Sequence, residues 1–221
     1  MEPLLDRLAT DGDADRARAL VRERLNGPDP SAPLQRWLYE HSLDTDAPDT
    51  ALSVARQMFR ERPSPAAYDR AKTAAQALDS WPDVRSALFG FLEETQRPSL
   101  QVRLYLHDRD MEAALHLVEP FAGTERPLPF GVSLLAEVAD AVRETHPDAA
   151  IALYQECARR LIADRGRSNY STAADLLANA KILYADNDDL AAWKSFLDKL
   201  YDNELRHLPA ARDEFKKANL L

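Results

Sequence analysis

Glycine is scarce in this chain, at 6 of 221 residues, and cysteine occurs once. The glycines at 12, 27, 90, 123, 131 and 166 never approach GxGxxG or GxxxxGK spacing, which excludes the familiar phosphate-cradling loops. A single thiol, Cys157, excludes an intramolecular disulfide framework and any multi-cysteine zinc site within the chain. It lies on an apolar helical stripe, where a buried, unreactive thiol is expected. There is no GxSxG nucleophile elbow, and the dispersed histidines His41, His107, His116, His146 and His207 form no HExxH or HxxxH pair. The run His107-Asp108-Arg109-Asp110 brings a histidine and two carboxylates together, but it reads as an inter-helix turn in which Asp110 caps the next helix. Carboxylate pairs such as Glu93-Glu94 and Asp188-Asp189 are ordinary on solvated faces when 29% of residues are charged. No catalytic, cofactor-binding or metal-ligating residue is assigned, and no enzymatic activity, cofactor or metal is expected.

Long hydrophobic runs are lacking too. No stretch reaches the roughly 18 apolar residues of a membrane span, and the opening MEPLLDRLATDGD is acidic where a signal peptide is basic. The expected compartment is the cytoplasm, without a membrane partner. Excess positive charge is missing as well: the formal net charge is -9, which argues against a general nucleic-acid binder. Residues 1 to 150 hold 17 basic and 26 acidic side chains, whereas residues 151 to 221 hold 11 of each, so only the C-terminal third can present a basic patch.

What is abundant is Ala and Leu, with few β-branched residues, a balance that favours helix. Apolar residues recur at spacings of three and four. Ile151, Tyr154, Cys157, Ala158, Leu161 and Ile162 form one such face; Tyr170, Ala173, Ala174, Leu177 and Tyr184 form another; Leu190, Trp193, Leu197, Leu200 and Tyr201 form a third. Leu176 and Leu183 add a second apolar edge beside the Tyr170 stripe, as expected of a helix packed on two sides in a stack.

Helix starts repeat. DADRARAL, PDTALSVA, PDVRSALF, DMEAALHL and PDAAIALY each place an Asp at or near the first turn, where it complements the helix dipole. The Asp positions 13, 49, 83, 110 and 148 lie 27 to 38 residues apart, which is helix-hairpin repeat spacing around the 34-residue tetratricopeptide period. Partner helices are predicted at roughly 33–43, 65–79, 99–107 and 129–145, with Ser64 as an N-cap before Pro65. Longer helices are predicted at 147–164, 168–186 and 188–206, with a short capping helix from Pro209. The expected fold is all-α: a right-handed α-solenoid of tetratricopeptide-like hairpins, about 12 helices in all. It is read as a single domain over 1–221, with a sub-division open near 122–130, where AGTERPLP is the longest non-helical stretch.

The one surface cluster that stands out is basic. Arg159, Arg160, Arg165, Arg167 and Lys181 lie near Tyr170, joined in part by Arg206, His207, Arg212, Lys216 and Lys217. Such a stripe suits an acidic peptide or a phosphate backbone. Pairing with Asp164, Asp175, Asp202 and Glu204, which are present in comparable number, is the alternative.

The run ETHPDAAIALYQECARRLIADRGRSNYSTAADLLANAKILY, followed by AAWKSFLDKL and RHLPAARDEFKKA, resembles the helical tail downstream of the zinc-binding motif in bacterial SWIM-type zinc-finger proteins. The similarity extends upstream through PSPAAYDRAKTAAQALDSWPDVRSALFGFLEE and LYLHDRDMEAALHLVE, covering residues from about 64 onward. The zinc motif of that family has the form CxCx(n)CxH, and with Cys157 alone this chain lacks its ligands. The resemblance therefore implies a scaffold with protein contacts, a partner in a DNA-processing or regulatory complex, and no transferable functional residue. The leading expectation is a helical-repeat module that binds a protein or peptide. Direct nucleic-acid binding through the basic stripe, an enzymatic site assembled from dispersed residues, and homodimerisation through an uncapped end stay open beside it.

Overall fold

A computed structural model describes residues 14–25, 31–123 and 127–221. The expected helix start at Asp13 and the GPDP break at Gly27 lie outside the described residues. Among the described residues there are twelve α-helices and no strand, so the all-α fold is observed. In chain order they are α1 (Ala14–Leu25), α2 (Ala32–Asp44), α3 (Pro48–Glu61), α4 (Pro65–Gln76), α5 (Trp81–Glu94) and α6 (Pro98–His107). These are followed by α7 (Met111–Val118), α8 (Val132–Val142), α9 (Pro147–Asp164), α10 (Arg167–Asp186), α11 (Leu190–Leu200) and α12 (Pro209–Lys217). A short 3₁₀ turn, Glu119–Phe121, follows α7, and a π-turn, Tyr201–Leu205, follows α11. No helix among these residues is long and apolar enough to cross a membrane.

The helices start where the sequence signals place them. Proline occupies the first or second position of α2, α3, α4, α5, α9 and α12, where its missing N–H is one the helix leaves unpaired anyway. Ser64 accepts the Ala67 N–H at 3.3 Å and Asp110 accepts the Ala113 N–H at 3.2 Å, while Asp49, Asp83 and Asp148 sit in first turns. Asp189 caps α11 in the same way, accepting from the Ala192 N–H at 3.1 Å.

The ends share a second device. Asp46, Asp79, Gln96, Arg109, Asp188 and Asn219 all have φ between 52° and 58°, the left-handed region. After each, the next N–H bonds five residues back: Ala47 to Ser42, Ser80 to Ala75, Arg97 to Leu92, Asp110 to Tyr105, Asp189 to Tyr184 and Leu220 to Phe215, all at 2.8–3.0 Å. This is the Schellman closure, which satisfies terminal carbonyls and reverses the chain within a few residues. At Asp46, Asp79 and Asp188 the next helix returns against the last one.

The chain divides into two compact units, residues 1–100 and 101–221. Through the first unit consecutive helices from α1 to α5 pack on one another, and α3 also touches α5. The Tyr39 hydroxyl of α2 donates to the Arg70 carbonyl of α4 at 3.1 Å, tying next-but-one helices. The core is aromatic: Phe59 meets Tyr68 and Phe91 at centroid distances of 6.4 and 6.2 Å, and Tyr68 meets Trp81 edge-on at 5.2 Å. Such tilted pairs suit the ring quadrupoles.

The second unit is built on α8, α9 and α10, with α10 also packing on α11 and α12. Packing against three helices explains the two apolar edges of α10, where Tyr170, Ala173, Ala174, Leu177, Ala180 and Leu183 are buried. The continuous helix expected over 188–206 instead ends at Leu200 and passes into the π-turn, where the Arg206 N–H bonds to the Tyr201 carbonyl at 2.9 Å. In an unbroken α-helix Leu205 points about 140° away from Leu200. One extra residue in the turn rotates it back, and both are buried.

Candidate functional site

The basic residues of the C-terminal third occupy several places rather than one. Arg160 of α9 holds Glu156 one turn earlier, Nε to Oε1 at 2.6 Å. The neighbouring Arg159 guanidinium sits over the Phe196 ring at 5.5 Å and faces Glu204 of the π-turn. Phe196, Lys199, Leu200 and Asn203 complete a shallow hollow of about 230 Å³ around these two groups. Burial raises the Glu204 carboxyl above the usual range and Glu156 pushes the same way, against the opposing pull of Arg159.

Arg167, at the start of α10, and Lys217 of α12 converge on Glu214, at 3.3 and 2.8 Å. Lys181 donates to the Asn219 carbonyl at 3.0 Å, closing the end of α12. Arg165 is exposed in the turn between α9 and α10, and Arg206, His207 and Lys216 are exposed. Arg212 is partly buried, with Nε lacking a hydrogen-bond partner among the described residues. Tyr170 is only 5% exposed, so its ring serves the core and offers no stacking face to solvent. Close ion pairs tie these cations to Glu156 and Glu214, both nearly buried on faces that also carry core residues.

Glu156 does more than pair. Its second oxygen accepts the Gly123 N–H at 3.0 Å, anchoring the segment after the 3₁₀ turn to the middle of α9. Beside it, Cys157 is fully buried and its Sγ donates to the Val132 carbonyl at 3.6 Å; burial pushes this thiol up to about 12. A thiol held neutral in this way is a core group. Among the described residues there is no cluster of three or more His, Cys, Asp or Glu side chains able to hold a metal, and Asp110 is engaged as a helix cap.

A further surface hollow lies in the first unit. A hollow of about 730 Å³ runs along α3, lined by Asp49, Ser53, Arg56, Gln57, Arg60 and Glu61, with Leu52 at its floor. A second, of about 380 Å³, adjoins it on the side of α1 and α2 and shares Asp49, Ser53 and Gln57 with it. The residues follow from α3's period: Ala51, Leu52, Val54, Ala55 and Phe59 face inward, which leaves positions 49, 53, 56, 57 and 60 on the outward stripe.

Charge on this stripe is unevenly satisfied. Glu61 accepts from Gln57 Nε2 and from Gln35 Nε2, both at 2.9 Å, so neutral amides hold both of its oxygens. Asp49 lies in the first turn of α3, where the helix terminus compensates a negative charge. Arg22 of α1 donates to the Thr50 hydroxyl. Arg56, partly buried, and Arg60, exposed, donate no hydrogen bond to and form no ion pair with any other described residue. Sequence reading toward the C-terminal cluster passes over this pair. The signal available was a like-charged i,i+4 couple on the polar stripe of SVARQMFRE.

Comparison with models of known protein families finds no match, and no curated protein matches the sequence. The class defined by the structure is an all-α protein of stacked helix hairpins.

Proposed function

We propose that this chain is a non-enzymatic, tetratricopeptide-like scaffold of the cytoplasm that binds a protein or peptide partner. The observation that carries the reading is the open hollow along α3. α3, whose outward face lines this hollow, is packed on both sides by α2 and α4, and a face fixed in this way loses little conformational entropy when it takes up an extended segment. The hollow is long and polar rather than enclosed and apolar, which suits a polypeptide better than a small metabolite. The resemblance of residues from about 64 onward to the tails of SWIM-type proteins supports a partner within a DNA-processing or regulatory complex.

The test is affinity capture of partners from native cell extract by the tagged full chain, followed by titration of the purified partner in calorimetry. Saturable binding at a defined stoichiometry is expected. Capture of nothing above a tag-only control contradicts the reading.

A further inference from the structure

Resting on the reading of the chain as a peptide-binding scaffold, we infer that the α3 hollow takes an acidic segment in extended conformation. Two of the segment's carboxylates pair with Arg56 and Arg60. Three observations converge on this occupant. The first is an imbalance of hydrogen bonding: Glu61 is held by Gln35 and Gln57, whereas neither guanidinium makes a hydrogen bond or ion pair with a described residue. Like charges one helical turn apart repel, and an anion placed between or across them removes that repulsion. Arg56 is also partly buried, so its charge is less screened by water than that of a freely solvated arginine.

The second observation is spacing. Residues four apart on a helix stand about 6 Å apart along its axis. Alternate residues of an extended chain stand about 6.7 Å apart on one side. Carboxylates at alternate positions of an extended peptide therefore match Arg56 and Arg60, and each guanidinium can grip its carboxylate with two parallel N–H bonds.

The third is length and lining. The stripe from Asp49 to Arg60 runs roughly 16 Å, room for about five extended residues. Ser53, exposed beside Arg56, offers a hydroxyl to the peptide backbone, and Arg22 adds a third positive charge on the α1 side. Asp49 and Glu61 disfavour an anion at the two ends of the stripe, so the acidic positions fall between them, at Arg56 and Arg60.

The experiment uses the full chain and two fluorescein-labelled decapeptides, one alternating glutamate and serine, the other alternating lysine and serine, in fluorescence anisotropy. The glutamate peptide is expected to bind and the lysine peptide to bind more weakly. Arg56→Gln and Arg60→Gln are each expected to weaken the glutamate peptide by about tenfold or more, since each removes a charge-assisted contact. The double reversal Arg56→Glu with Arg60→Glu is expected to exchange the preference of the two peptides. Circular dichroism melts confirm that the variants fold, and Arg36→Gln, on the exposed face of α2, serves as the control with unchanged binding. Failure of both peptides to bind, equal binding of the two, or binding untouched by the substitutions overturns the inference. The fate of the parent reading is separate. Equal capture of one cellular partner by the wild type and the double reversal overturns the acidic α3 site and leaves the scaffold standing. Capture of nothing by either overturns both.

Discussion

Glu156 in the middle of α9 accepts the backbone N–H of Gly123, 33 residues earlier in the chain, at 3.0 Å. Its other oxygen holds Arg160, and the side chain as a whole is almost completely removed from water, so the carboxylate is a structural pin. Replacing Glu156 by Leu leaves both the Gly123 amide and the partly buried Arg160 without this acceptor. A loss of about 1–3 kcal/mol is expected, read as a lower urea midpoint with an unchanged slope. Glu156→Gln, which keeps one acceptor oxygen, is expected to lose less. An unchanged midpoint in the Leu variant contradicts the pinning role.

Cys157 makes stability depend on alkaline pH. Burial raises the folded thiol to about 12, above the ordinary thiol value near 8.5 expected in the unfolded chain. The stabilisation from keeping the thiol neutral is fully present below the unfolded value and is lost as pH rises toward the folded one. Between those values the unfolded state has released a proton that the native state retains, so stability falls by roughly 1.4 kcal/mol per pH unit from this group. Denaturant titrations from pH 8 to pH 10 are expected to show that slope. Cys157→Ala is expected to flatten it, and an equal slope in both proteins contradicts the assignment. Tyr154, raised by burial and by its hydrogen bond to Asp140, acts in the same direction above the ordinary tyrosine range.

The turns make opposite predictions at two positions. Arg109 occupies the left-handed region with φ 58°, where a side chain costs about 1–2 kcal/mol that glycine avoids. Arg109→Gly is expected to raise stability by up to about 1 kcal/mol, the strain relief less the entropy of glycine in the unfolded chain. Gly166 has φ 102° and ψ 140°, a conformation that L-residues rarely adopt, and open space surrounds its Cβ position. Gly166→Ala is therefore expected to cost about 1–3 kcal/mol through the backbone alone. Thermal melts of the two variants check both signs.

These turns also explain what the sequence showed and what it did not. Helix beginnings were legible, because Pro48, Pro65 and Pro147 and the caps Ser64 and Asp110 act through their own side chains on the adjacent backbone. Helix ends were harder, since the left-handed positions carry Asp46, Asp79, Gln96 and Arg109 in place of the glycine that usually marks them. Residues 77–79 thus read as a continuation of α4. The π-turn after Leu200 depends on where Leu205 must point, a matter of tertiary packing that no local period records. At the C-terminal basic cluster, composition singled out the arginines. Their close ion pairs with Glu156 and Glu214 are set by helix packing and by helical faces shared with Cys157 and Phe215, whereas the sequence suggested Asp164, Asp175, Asp202 and Glu204, of which Glu204 does face Arg159.

The same pairing bears on nucleic acid. A phosphate backbone reaching Arg159, Arg160 and Arg167 must draw them from Phe196, Glu156 and Glu214 against a chain of net charge -9. Gel shifts at about 50 mM salt are expected to show no retardation of single- or double-stranded DNA. Retardation that weakens with salt and disappears in a variant carrying Arg159→Glu with Arg167→Glu contradicts this.

The scaffold reading, with its groove along α3, is tested most directly by hydrogen-exchange mass spectrometry of the full chain with and without a purified partner obtained by capture. The account predicts slower exchange on binding in peptides covering residues 48–61, with α12 unchanged. Protection confined to residues 101–221, with 48–61 exchanging as in the free chain, contradicts it.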